Sequence, residues 1–396
     1  MAIRPMEMRK IVDGVFWAGA ADWDRRLFDA LVPLPNGTSY NAYLIKGGKK
    51  TALIDSVDPT KTDVLMARLA GVERIDYIVC QHAEQDHSGA IPVVLAKYPD
   101  AKILTSPKGR ELLAMHVGVP LEKITTVGDG ETVDLGNKTL EFIHTPWVHW
   151  PETMSTYLRE DKILFTCDLF GAHLATEELE EKDENLVALA SKRYYAEVMM
   201  PFRAIIRKHI ARFESYQVAK IAPSHGPIHP NPAFIVKCHD DWTSDRLSNT
   251  VIIAYASMHG STAKMAEYLA ESLTKEGVGA RLFNLTATDI GEYAMALVDA
   301  ATIVFATPVV LTGAHPAVIS AAFLTNALKP KLKFASILSS YAWGGKAAEQ
   351  ITSQLSGLRL EMLAQVSVKG RPLESDFASI DGLAAAIAAK HREAVQ

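Results

Sequence analysis

The chain has 396 residues, enough for about two domains, and its 48% hydrophobic and 22% charged residues are an ordinary globular composition. A net charge of −5 offers no attraction to nucleic acid or to an anionic membrane surface, so we expect neither as a partner. No apolar run is long enough to span a bilayer, and the N-terminus lacks the apolar core of a signal peptide, so we expect a cytoplasmic protein.

The first half of the chain predicts a β-rich domain with helices between some of its strands. Short apolar or alternating runs, several of them separated by Gly, Asn, Asp or Pro, are typical of strands. Helices are expected around residues 60–70 and 91–98. The predicted strands are GVFWAGA, SYNAYLIKGG, KTALIDSV, DYIVCQH, AKILTS, KTLEFIHT, TMSTYLRED and KILFTCD.

The pattern changes in the second half of the chain. TVIIAYA (250–256) is a continuous apolar run, typical of a parallel strand covered on both faces, and ATIVFAT (301–307) and KFASILSSY (333–341) repeat it. Helices are expected between these strands, and strands that alternate with helices predict a doubly wound parallel sheet. We therefore predict two domains, residues 1–247 and residues 248–396.

The helix after TVIIAYA has an apolar face at helical spacing, and Gly277 stands where the helix should end. The residues of that face are Met265, Ala266, Leu269, Ala270 and Leu273.

Four ionisable side chains follow the buried run IDYIV in the stretch CQHAEQDHSGA. Alternate residues of a strand-to-loop segment point to the same side, so we expect His82, Glu84 and Asp86 to converge. His87 would turn in from the following loop. Burying such groups requires pairing or a metal, and imidazoles and carboxylates are ligands of zinc, manganese and non-haem iron. A set of ordinary core histidines fits this spacing poorly, so the sequence predicts a metal site.

Three later segments each end a strand in a loop rich in Gly or Pro, where ligands are usually presented. HTPWVHWPE offers His144 and His149, ILFTCDLFG offers Asp168, and KIAPSHGPIH offers His225 and His229. Cys80 and Cys167 flank candidate ligands but lie in predicted strands, so we expect small buried hydrophobes rather than thiolate ligands.

These motifs resemble the metallo-β-lactamase fold with one substitution. The hydrolases of that superfamily usually carry HxHxDH, whereas this chain has HxExDH, with Glu84 at the second histidine. Together with WVHWPETM, LFTCDLFG and PSHG, this pattern resembles the flavodiiron proteins, or A-type flavoproteins, over essentially the whole chain. The resemblance implies an α/β chain with a metallo-β-lactamase-like αββα sandwich followed by a flavodoxin-like domain.

The resemblance also implies a pair of non-haem irons. Three carboxylates suit a hard, redox-active pair better than zinc, which has no redox chemistry of its own, so Glu84 changes the prediction from hydrolysis to redox catalysis. The implied ligands are His82, Glu84 and His149 on one iron and Asp86, His87 and His225 on the other, with Asp168 bridging.

Some candidates remain open at this point. His225 is preferred to His229 because it lies in the SHG turn directly after the strand AKIA, and His144 lies before the family's ligand position. His173, in LFGAH, resembles a position that supports the diiron site, so we count it with Glu84 and Asp168 as catalytic; a surface histidine is the alternative.

The two tryptophans beside His149, Trp147 and Trp150, either shield the pocket or are plain core aromatics.

The segment ASMHGSTAKMA follows the first strand of the second domain and opens its helix. The hydroxyls of Ser257, Ser261 and Thr262 and the amides near Gly260 are suited to a phosphate at a helix N-terminus. There is neither a Walker GK[ST] nor a GxGxxG motif, so a dinucleotide is not expected. The segment resembles the flavodoxin phosphate loop, which binds FMN.

Two further loops, residues 307–316 and 340–345, follow the later strands and would converge on the crevice at the switch point of the sheet. They are similar to the loops that flank the isoalloxazine in the family, although many members have Asn at Thr312 and often Tyr at His259. The predicted FMN-binding residues are Ser257, Met258, His259, Gly260, Ser261, Thr262, Thr307, Pro308, Val309, Thr312, Gly313, Ser340, Tyr341, Ala342, Trp343, Gly344 and Gly345.

The resemblance implies an oxidoreductase that passes electrons from a donor through FMN to the diiron pair and reduces O2 to water, NO to N2O, or both. No rubredoxin or flavin reductase module is appended, so we expect an external donor, either rubredoxin or reduced coenzyme F420. The family also implies a head-to-tail homodimer, or a dimer of dimers, with the FMN of one subunit facing the iron of the other. The sequence does not choose between O2 and NO.

Two other hypotheses remain. One is a zinc hydrolase of the lactamase fold with a flavodoxin domain as a redox sensor. The other is a flavodoxin-like electron carrier whose first domain has lost its metal, which the complete set of ligands argues against.

Overall fold

The computed structural model describes residues 6–395, which divide by packing into two compact units. The first unit runs through Tyr195 and resumes at Phe202–Asp240. The second consists of Ala196–Pro201 and the residues from Asp241 onward. A domain boundary at residue 247 stays a prediction.

The first unit contains a seven-stranded and a five-stranded sheet and two short strand pairs. Its strands are β1 (Arg9–Val12), β2 (Val15–Trp17), β3 (Ala20–Asp22), β4 (Leu27–Phe28), β5 (Val32–Pro33), β6 (Thr38–Tyr40), β7 (Tyr43–Lys46), β8 (Thr51–Ile54), β9 (Tyr77–Val79), β10 (Lys102–Thr105), β11 (Ile124–Thr126), β12 (Thr132–Asp134), β13 (Thr139–His144), β14 (Met154–Leu158), β15 (Ile163–Cys167) and β16 (Lys220–Pro223). The helices of this part of the chain are α1 (Thr62–Arg68), α2 (Gln85–Ser88), α3 (Ile91–Lys97), α4 (Pro107–Val117), α5 (Glu184–Tyr194), α6 (Arg203–Phe213) and α7 (Pro232–Thr243). Short 3₁₀ segments occupy Pro59–Lys61, Leu69–Gly71, Leu121–Lys123 and Met200–Phe202, and a π-helical turn occupies Tyr195–Met199.

The two large sheets have the strand orders β1-β2-β7-β8-β9-β10-β11 and β12-β13-β14-β15-β16. The pairs from β8 to β11 are parallel, as is β15 with β16, and the other pairs in both sheets are antiparallel. The candidate ligands lie in the segment between β9 and α3, which includes α2, and in the loops after β13, β15 and β16.

The sheets pack face to face over one apolar layer. Because side chains alternate along a strand, Ile45 of β7 points into this layer, with Phe142 of β13 and Phe165 of β15. Its neighbour Leu44 points to the opposite face, which Leu65 of α1 helps to cover together with α3 and α4. On the outer side of the five-stranded sheet, Tyr216, just after α6, packs against Tyr157 of β14. The first unit is therefore an αββα sandwich.

The second unit is a parallel sheet of order β18-β17-β19-β21-β22, to which β20 and β23 are added at β19 and β21. This order is that of a doubly wound, flavodoxin-like sheet, as predicted. Its strands are β17 (Ser248–Tyr255), β18 (Gly279–Asn284), β19 (Ala300–Val310), β20 (Gly313–Ala314), β21 (Phe334–Tyr341), β22 (Glu361–Met362) and β23 (Val366–Lys369). Its helices are α8 (Ser261–Lys275), α9 (Ile290–Leu297), α10 (Pro316–Leu328), α11 (Ala347–Gln354) and α12 (Glu374–Ala394).

Helix α8 covers the centre of this sheet beside α12. Met265 and Leu269 are fully buried on it against Val304 of β19, so the predicted apolar face is the packed one. The helix ends just before Gly277, whose φ of +77° is a left-handed conformation that glycine adopts at little cost. Among the helices of residues 6–395, none combines the length and the apolar composition needed to cross a membrane.

Candidate metal centre and cofactor loops

The ligand-bearing segment after β9 differs from the predicted extended course. Strand β9 ends at Val79, and after a short irregular stretch the chain turns into α2, with Glu84 at its N-cap and Asp86 and His87 inside it. Ser88 stabilises this turn, because its hydroxyl donates to the carbonyl oxygens of Ala83 and Glu84 at 2.8 Å. The expectation that Asp86 converges by strand alternation, with His87 following in a loop, is therefore wrong about the geometry. A one-turn helix brings both side chains inward instead.

One group of candidate ligands surrounds an oxygen of Asp168. The Nε2 atoms of His82 and His149 lie 3.6 and 3.7 Å from Asp168 Oδ2. The same two nitrogens lie 3.0 and 3.2 Å from Oε2 of Glu84. Two imidazoles and two carboxylates thus face one point.

The second group surrounds the other oxygen of the same carboxylate. The Nε2 atoms of His87 and His225 lie 3.1 and 3.4 Å from Asp168 Oδ1. They lie 3.4 and 3.0 Å from Oδ2 of Asp86. The second group therefore repeats the composition of the first, with Asp168 common to both.

Asp168 is a buried carboxylate at the centre of the cluster. It is 1% exposed, and neither of its carboxylate oxygens has a hydrogen-bond partner among the described residues. Oδ1 of Asp86, which is also buried, has none either. Buried oxygens without partners are costly, and a pair of metal ions between the imidazoles would satisfy them. The residues present therefore fit a two-metal site of mixed imidazole and carboxylate ligands.

Burial and mutual charge act in opposite directions on these groups. Burial lowers the pKa of His82, but hydrogen bonds to two carboxylates raise it well above its usual value. Burial also opposes the charged form of His225, yet the two carboxylates that it faces raise its pKa to about 10. Burial disfavours ionised Asp168, while the charge of His87 and the close approach of the other imidazoles hold its pKa well below the usual range. In the metal-free protein, protons on the imidazoles therefore compensate the negative charge of the carboxylates, as bound metal ions would.

Two contacts behind the imidazoles are absent from the sequence prediction. Nδ1 of His82 donates to Oε1 of Glu152 at 2.7 Å, and Nδ1 of His225 donates to the carbonyl oxygen of Ser39 at 2.7 Å. Glu152 lies in the motif WVHWPETM, so the motif itself was a signal. Ser39 makes its contact through its backbone carbonyl oxygen, so no feature of the sequence predicts it.

His173 lies beside the second group. Its ring centroid is 5.2 Å from that of His225 and 4.8 Å from that of Tyr194, and its Nδ1 shares a 2.9 Å hydrogen bond with the hydroxyl of Thr38. Burial and the nearby charge of His225 lower its pKa well below the usual value, so it is neutral. Its Nε2 is buried without a partner among the described residues. The open alternative of a surface histidine is wrong, because the side chain is buried.

The other histidines of the ligand segments have different partners. His229 donates from Nε2 to the carbonyl oxygen of Phe170 at 2.9 Å, and burial lowers its pKa to about 4. His144 donates from Nε2 to the carbonyl oxygen of Val127 at 3.0 Å. Neither belongs to the two groups around Asp168, which contain His225 and His149.

The two tryptophans beside His149 have different environments. The ring of Trp150 packs edge-on against His82, with centroids 5.0 Å apart. Trp147 is about half exposed and stacks on Phe202, with ring centroids 6.2 Å apart. Only Trp150 therefore covers a candidate ligand.

A further acid near the cluster had no sequence signal. Asp29 lies in the turn of the short hairpin of β4 and β5, close enough to Glu84 and Asp86 for their charges to act on it. Partial desolvation and the charges of Glu84 and Asp86 raise its pKa to about 6.

In the second unit, the start of α8 is open to an anion. Gly260 is its N-cap with a φ of +86°, and no side chain caps the first turn. The amide of Gly260 donates to the hydroxyl of Ser257 at 3.1 Å, which closes the loop. By contrast, α4, α5 and α9 each begin with a side chain that accepts from the first turn. The free amides of α8 fit the phosphate of FMN.

Residues 307–316, predicted as a loop after β19, form a hairpin instead. Strand β19 continues to Val310 and pairs with β20, and Leu311 at the tip is 90% exposed. This hairpin is tied to residues 340–345: the amide of Lys346 donates to the carbonyl oxygen of Thr312, and a Cβ on Gly345 would approach that oxygen to 3.0 Å.

The phosphate segment is joined to the end of β21 by a 2.9 Å hydrogen bond between the hydroxyls of Thr262 and Ser340. Trp343 follows three residues after Ser340 and is 79% exposed. The three predicted FMN segments therefore lie together at the carboxyl ends of the strands.

Two family models match the chain, one described as the ODP family of beta lactamases over residues 38–226 and one as flavodoxin over residues 253–380. The nitric oxide reductase of Moorella thermoacetica is 33% identical over 90% of this chain and 91% of that protein. The coenzyme F420H2 oxidase of Methanothermobacter marburgensis is 35% identical over 78% of this chain and 80% of that protein. The solved structure of the rubredoxin oxygen:oxidoreductase of Desulfovibrio gigas matches with a TM-score of 0.93 at 31% identity, covering 98% of this chain and 99% of that one.

Proposed function

The chain belongs to the flavodiiron family of type A flavoproteins, and from this premise we propose how its residues carry the activity of the family. The protein is an oxidoreductase that receives electrons from a donor through FMN and reduces O2 to water, NO to N2O, or both, at a non-haem diiron site. Bound FMN supplies one- and two-electron transfer, and the ferrous pair supplies electrons and positions at which the gas binds.

The observation that best supports this function is that each carboxylate oxygen of Asp168 faces a different pair of imidazoles. We assign one iron to His82, Glu84 and His149, the other to Asp86, His87 and His225, and the bridge to Asp168. The support is that Oδ2 of Asp168 faces the first pair of Nε2 atoms and Oδ1 faces the second.

Glu84 favours redox chemistry over zinc hydrolysis in this assignment. It faces the same imidazoles as Asp168 Oδ2 and adds a third negative charge to the site, which stabilises oxidised iron. The zinc hydrolases of the lactamase fold usually have a third imidazole at this position, where this chain has Glu84.

His173 is assigned a role beside the metal pair. Its neutral imidazole, held by Thr38 through Nδ1, has a free Nε2 that can accept or donate a hydrogen bond to a group bound at the second iron position. Tyr194, which packs on the ring of His173, fixes its orientation.

We propose that the residues named from the sequence bind FMN, because the three segments that contain them lie close together. The uncapped first turn of α8 would bind the phosphate, and the tied loops around Thr312 and Gly345 would enclose the ring. Trp343 is the aromatic next to that space.

We propose the electron donor and the oligomeric state by analogy with similar proteins. A relative is named for coenzyme F420H2 and another for rubredoxin, so we propose one of these two as the external electron donor. We also propose a head-to-tail homodimer, or a dimer of dimers. Large exposed apolar side chains lie in both units, Leu31 in the first and Leu311 and Trp343 in the second, and a partner subunit would cover them.

The decisive experiment measures the metal and flavin content of the purified chain and its consumption of O2 and of NO in parallel. Reduced rubredoxin and reduced coenzyme F420 serve as alternative donors. We expect two irons and one FMN per chain and consumption of at least one gas. The chain is produced with abundant iron, so that two zincs per chain with no consumption of either gas would favour the hydrolase hypothesis instead.

A further inference from the structure

Glu152 is a buried carboxylate in direct contact with a proposed iron ligand. Its Oε1 accepts the hydrogen bond from Nδ1 of His82 at 2.7 Å, and the residue is 2% exposed. The ring of His82 is itself fully buried, so solvent does not compete for this bond. Hydrogen bonds of this charge-assisted kind are about twice as strong as neutral ones.

The surrounding backbone fixes the position of Glu152. Oε1 also accepts from the amide of Ala83 at 3.0 Å, and the carbonyl oxygen of Glu152 accepts from the hydroxyl of Ser106 at 2.6 Å. One side of the carboxylate is thus anchored to the segment that carries His82. Its main chain is anchored to the start of α4.

The other proposed imidazole ligands have different supports. Nδ1 of His225 donates to a neutral carbonyl oxygen, that of Ser39, at 2.7 Å. Nδ1 of His87 lies 3.8 Å from the sulfur of Cys167. Among the four imidazoles, as described within residues 6–395, only that of His82 has an Nδ1 hydrogen bond to a carboxylate.

The bond has two consequences for His82. Because Nδ1 donates to a carboxylate, the lone pair of the neutral ring is left on Nε2, the atom that faces Glu84 and Asp168. The negative charge behind the ring also increases the basicity of Nε2 as a ligand.

We propose that Glu152 is a positioning residue that sets the tautomer and orientation of His82, and thereby the affinity of the iron position formed by His82, Glu84 and His149. The inference rests on the ligand assignment proposed above. Glu152 itself would contact neither iron. Because it supports only one ligand set, a substitution at Glu152 should weaken iron binding at one position and not at the other.

The test uses the full chain reconstituted with ⁵⁷Fe(II), in the wild type, Glu152→Ala, Glu152→Gln and Ser106→Ala. Iron affinity is measured by competition with a chelator, and Mössbauer spectra resolve the two iron positions. Removing an outer partner of a metal-bound histidine typically costs about 10- to 100-fold in metal affinity. We expect a loss of that size at one position in Glu152→Ala, with the other position and the FMN content unchanged.

Glu152→Gln keeps an oxygen that can accept from Nδ1 but removes the charge. We expect it to restore most of the affinity while changing the quadrupole splitting of one iron only. Ser106→Ala is the matched control, because it removes a main-chain contact of Glu152 and leaves its carboxylate in place. It should weaken iron binding at either position much less than Glu152→Ala does.

Three results would overturn the proposal: wild-type affinity at both positions in Glu152→Ala, equal weakening of both without recovery in Glu152→Gln, or weakening by Ser106→Ala as large as that by Glu152→Ala. If Glu152→Ala does not fold, the test rests on Glu152→Gln. A Mössbauer spectrum of Glu152→Gln identical to that of the wild type would then overturn the proposal, because it would show that the charge of Glu152 has no effect on the iron position. A wild-type chain that binds no iron would instead contradict the proposed function, so the two failures are distinguishable.

Discussion

Glu84 places Oε2 3.2 Å from Nε2 of His149, although the two residues are far apart in the chain. This contact is the reason to expect that Glu84 controls iron occupancy. Glu84→Gln keeps the shape and removes the charge, so we expect iron to be lost from one position and the rate of O2 or NO consumption to fall by more than the roughly 100-fold that loss of an outer partner costs. Elemental analysis and steady-state rates measure both.

The control for this substitution is Glu73→Gln, an exposed glutamate that should leave iron content and rate unchanged. Two irons per chain and a wild-type rate in Glu84→Gln would contradict the assignment of Glu84 as a ligand.

The raised pKa of His225 predicts how the stability of the metal-free protein depends on pH. Its value of about 10 in the folded chain exceeds that of an unfolded histidine, about 6.5. The stabilisation is therefore complete below about pH 6.5 and is lost as the pH rises to about 10. We expect the melting temperature of the metal-free chain to fall over this range, and that of the iron-loaded chain to fall less, because the metal replaces the proton.

Calorimetry of both forms at several pH values between these limits measures the effect. His225→Gln should flatten the decline in the metal-free protein. A metal-free melting temperature that is constant or rises through this range would contradict the protonation described above.

His173 should affect turnover more than metal binding. The side chain lies next to His225 without facing Asp168 or Asp86 as the proposed ligands do. In His173→Phe we expect wild-type iron affinity and a turnover lower by at least about 10-fold, since positioned proton donors and acceptors contribute about 10²- to 10⁴-fold. His144→Gln is the matched control, and parallel loss of iron and activity in His173→Phe would indicate a ligand or a structural role instead.

The close approach of Gly345 to the hairpin predicts its effect on FMN binding. A Cβ there would lie 2.6 Å from Cγ1 of Val309 and 3.0 Å from the carbonyl oxygen of Thr312. Overpacking of this kind costs about 1–3 kcal/mol, so Gly345→Ala should bind FMN roughly 5- to 150-fold more weakly in a flavin fluorescence titration.

Gly382→Ala provides the control, because Gly382 lies within α12 and a Cβ there meets nothing within 4 Å. It should leave the FMN affinity unchanged and stabilise the fold slightly. Equal FMN affinities in the two variants would show that the loop around Gly345 does not enclose the flavin.

The exposed tip of the hairpin tests the proposed dimer. Leu311 is not among the FMN-binding residues assigned here, and its side chain has little packing within the described residues of its own subunit. We expect Leu311→Asp to weaken the dimer, measured by sedimentation velocity over a dilution series, with FMN content unchanged. Leu373→Asp, another exposed leucine of the same unit, is the comparison. A wild-type chain that is monomeric at all concentrations would contradict the dimer.

Much of the site could be predicted because each ligand follows a strand whose apolar pattern is local. His149, Asp168 and His225 all stand next to strands that the sequence identifies, in loops with Gly or Pro. The short helix α2 could not be predicted in this way, because its four residues, Gln85–Ser88, are polar and carry no helical period.

The supports of the ligands were harder to find for a different reason. Glu152 is separated from His82 by 70 positions, and Thr38 from His173 by 135. Such contacts depend on how the sheets pack, and no periodicity records them. The hairpin after β19 has no local sequence signal, because its turn, Leu311 and Thr312, uses two non-glycine residues with positive φ.

The unpartnered oxygens of Asp168 have a consequence for how the protein acquires its metal. An arrangement of imidazoles and carboxylates that needs a divalent cation does not by itself choose the cation, and sites of this kind bind zinc more tightly than ferrous iron. Correct loading therefore depends on the supply of metal. We expect chain produced with scarce iron and abundant zinc to bind zinc and flavin but to reduce neither gas, because zinc has no redox chemistry of its own.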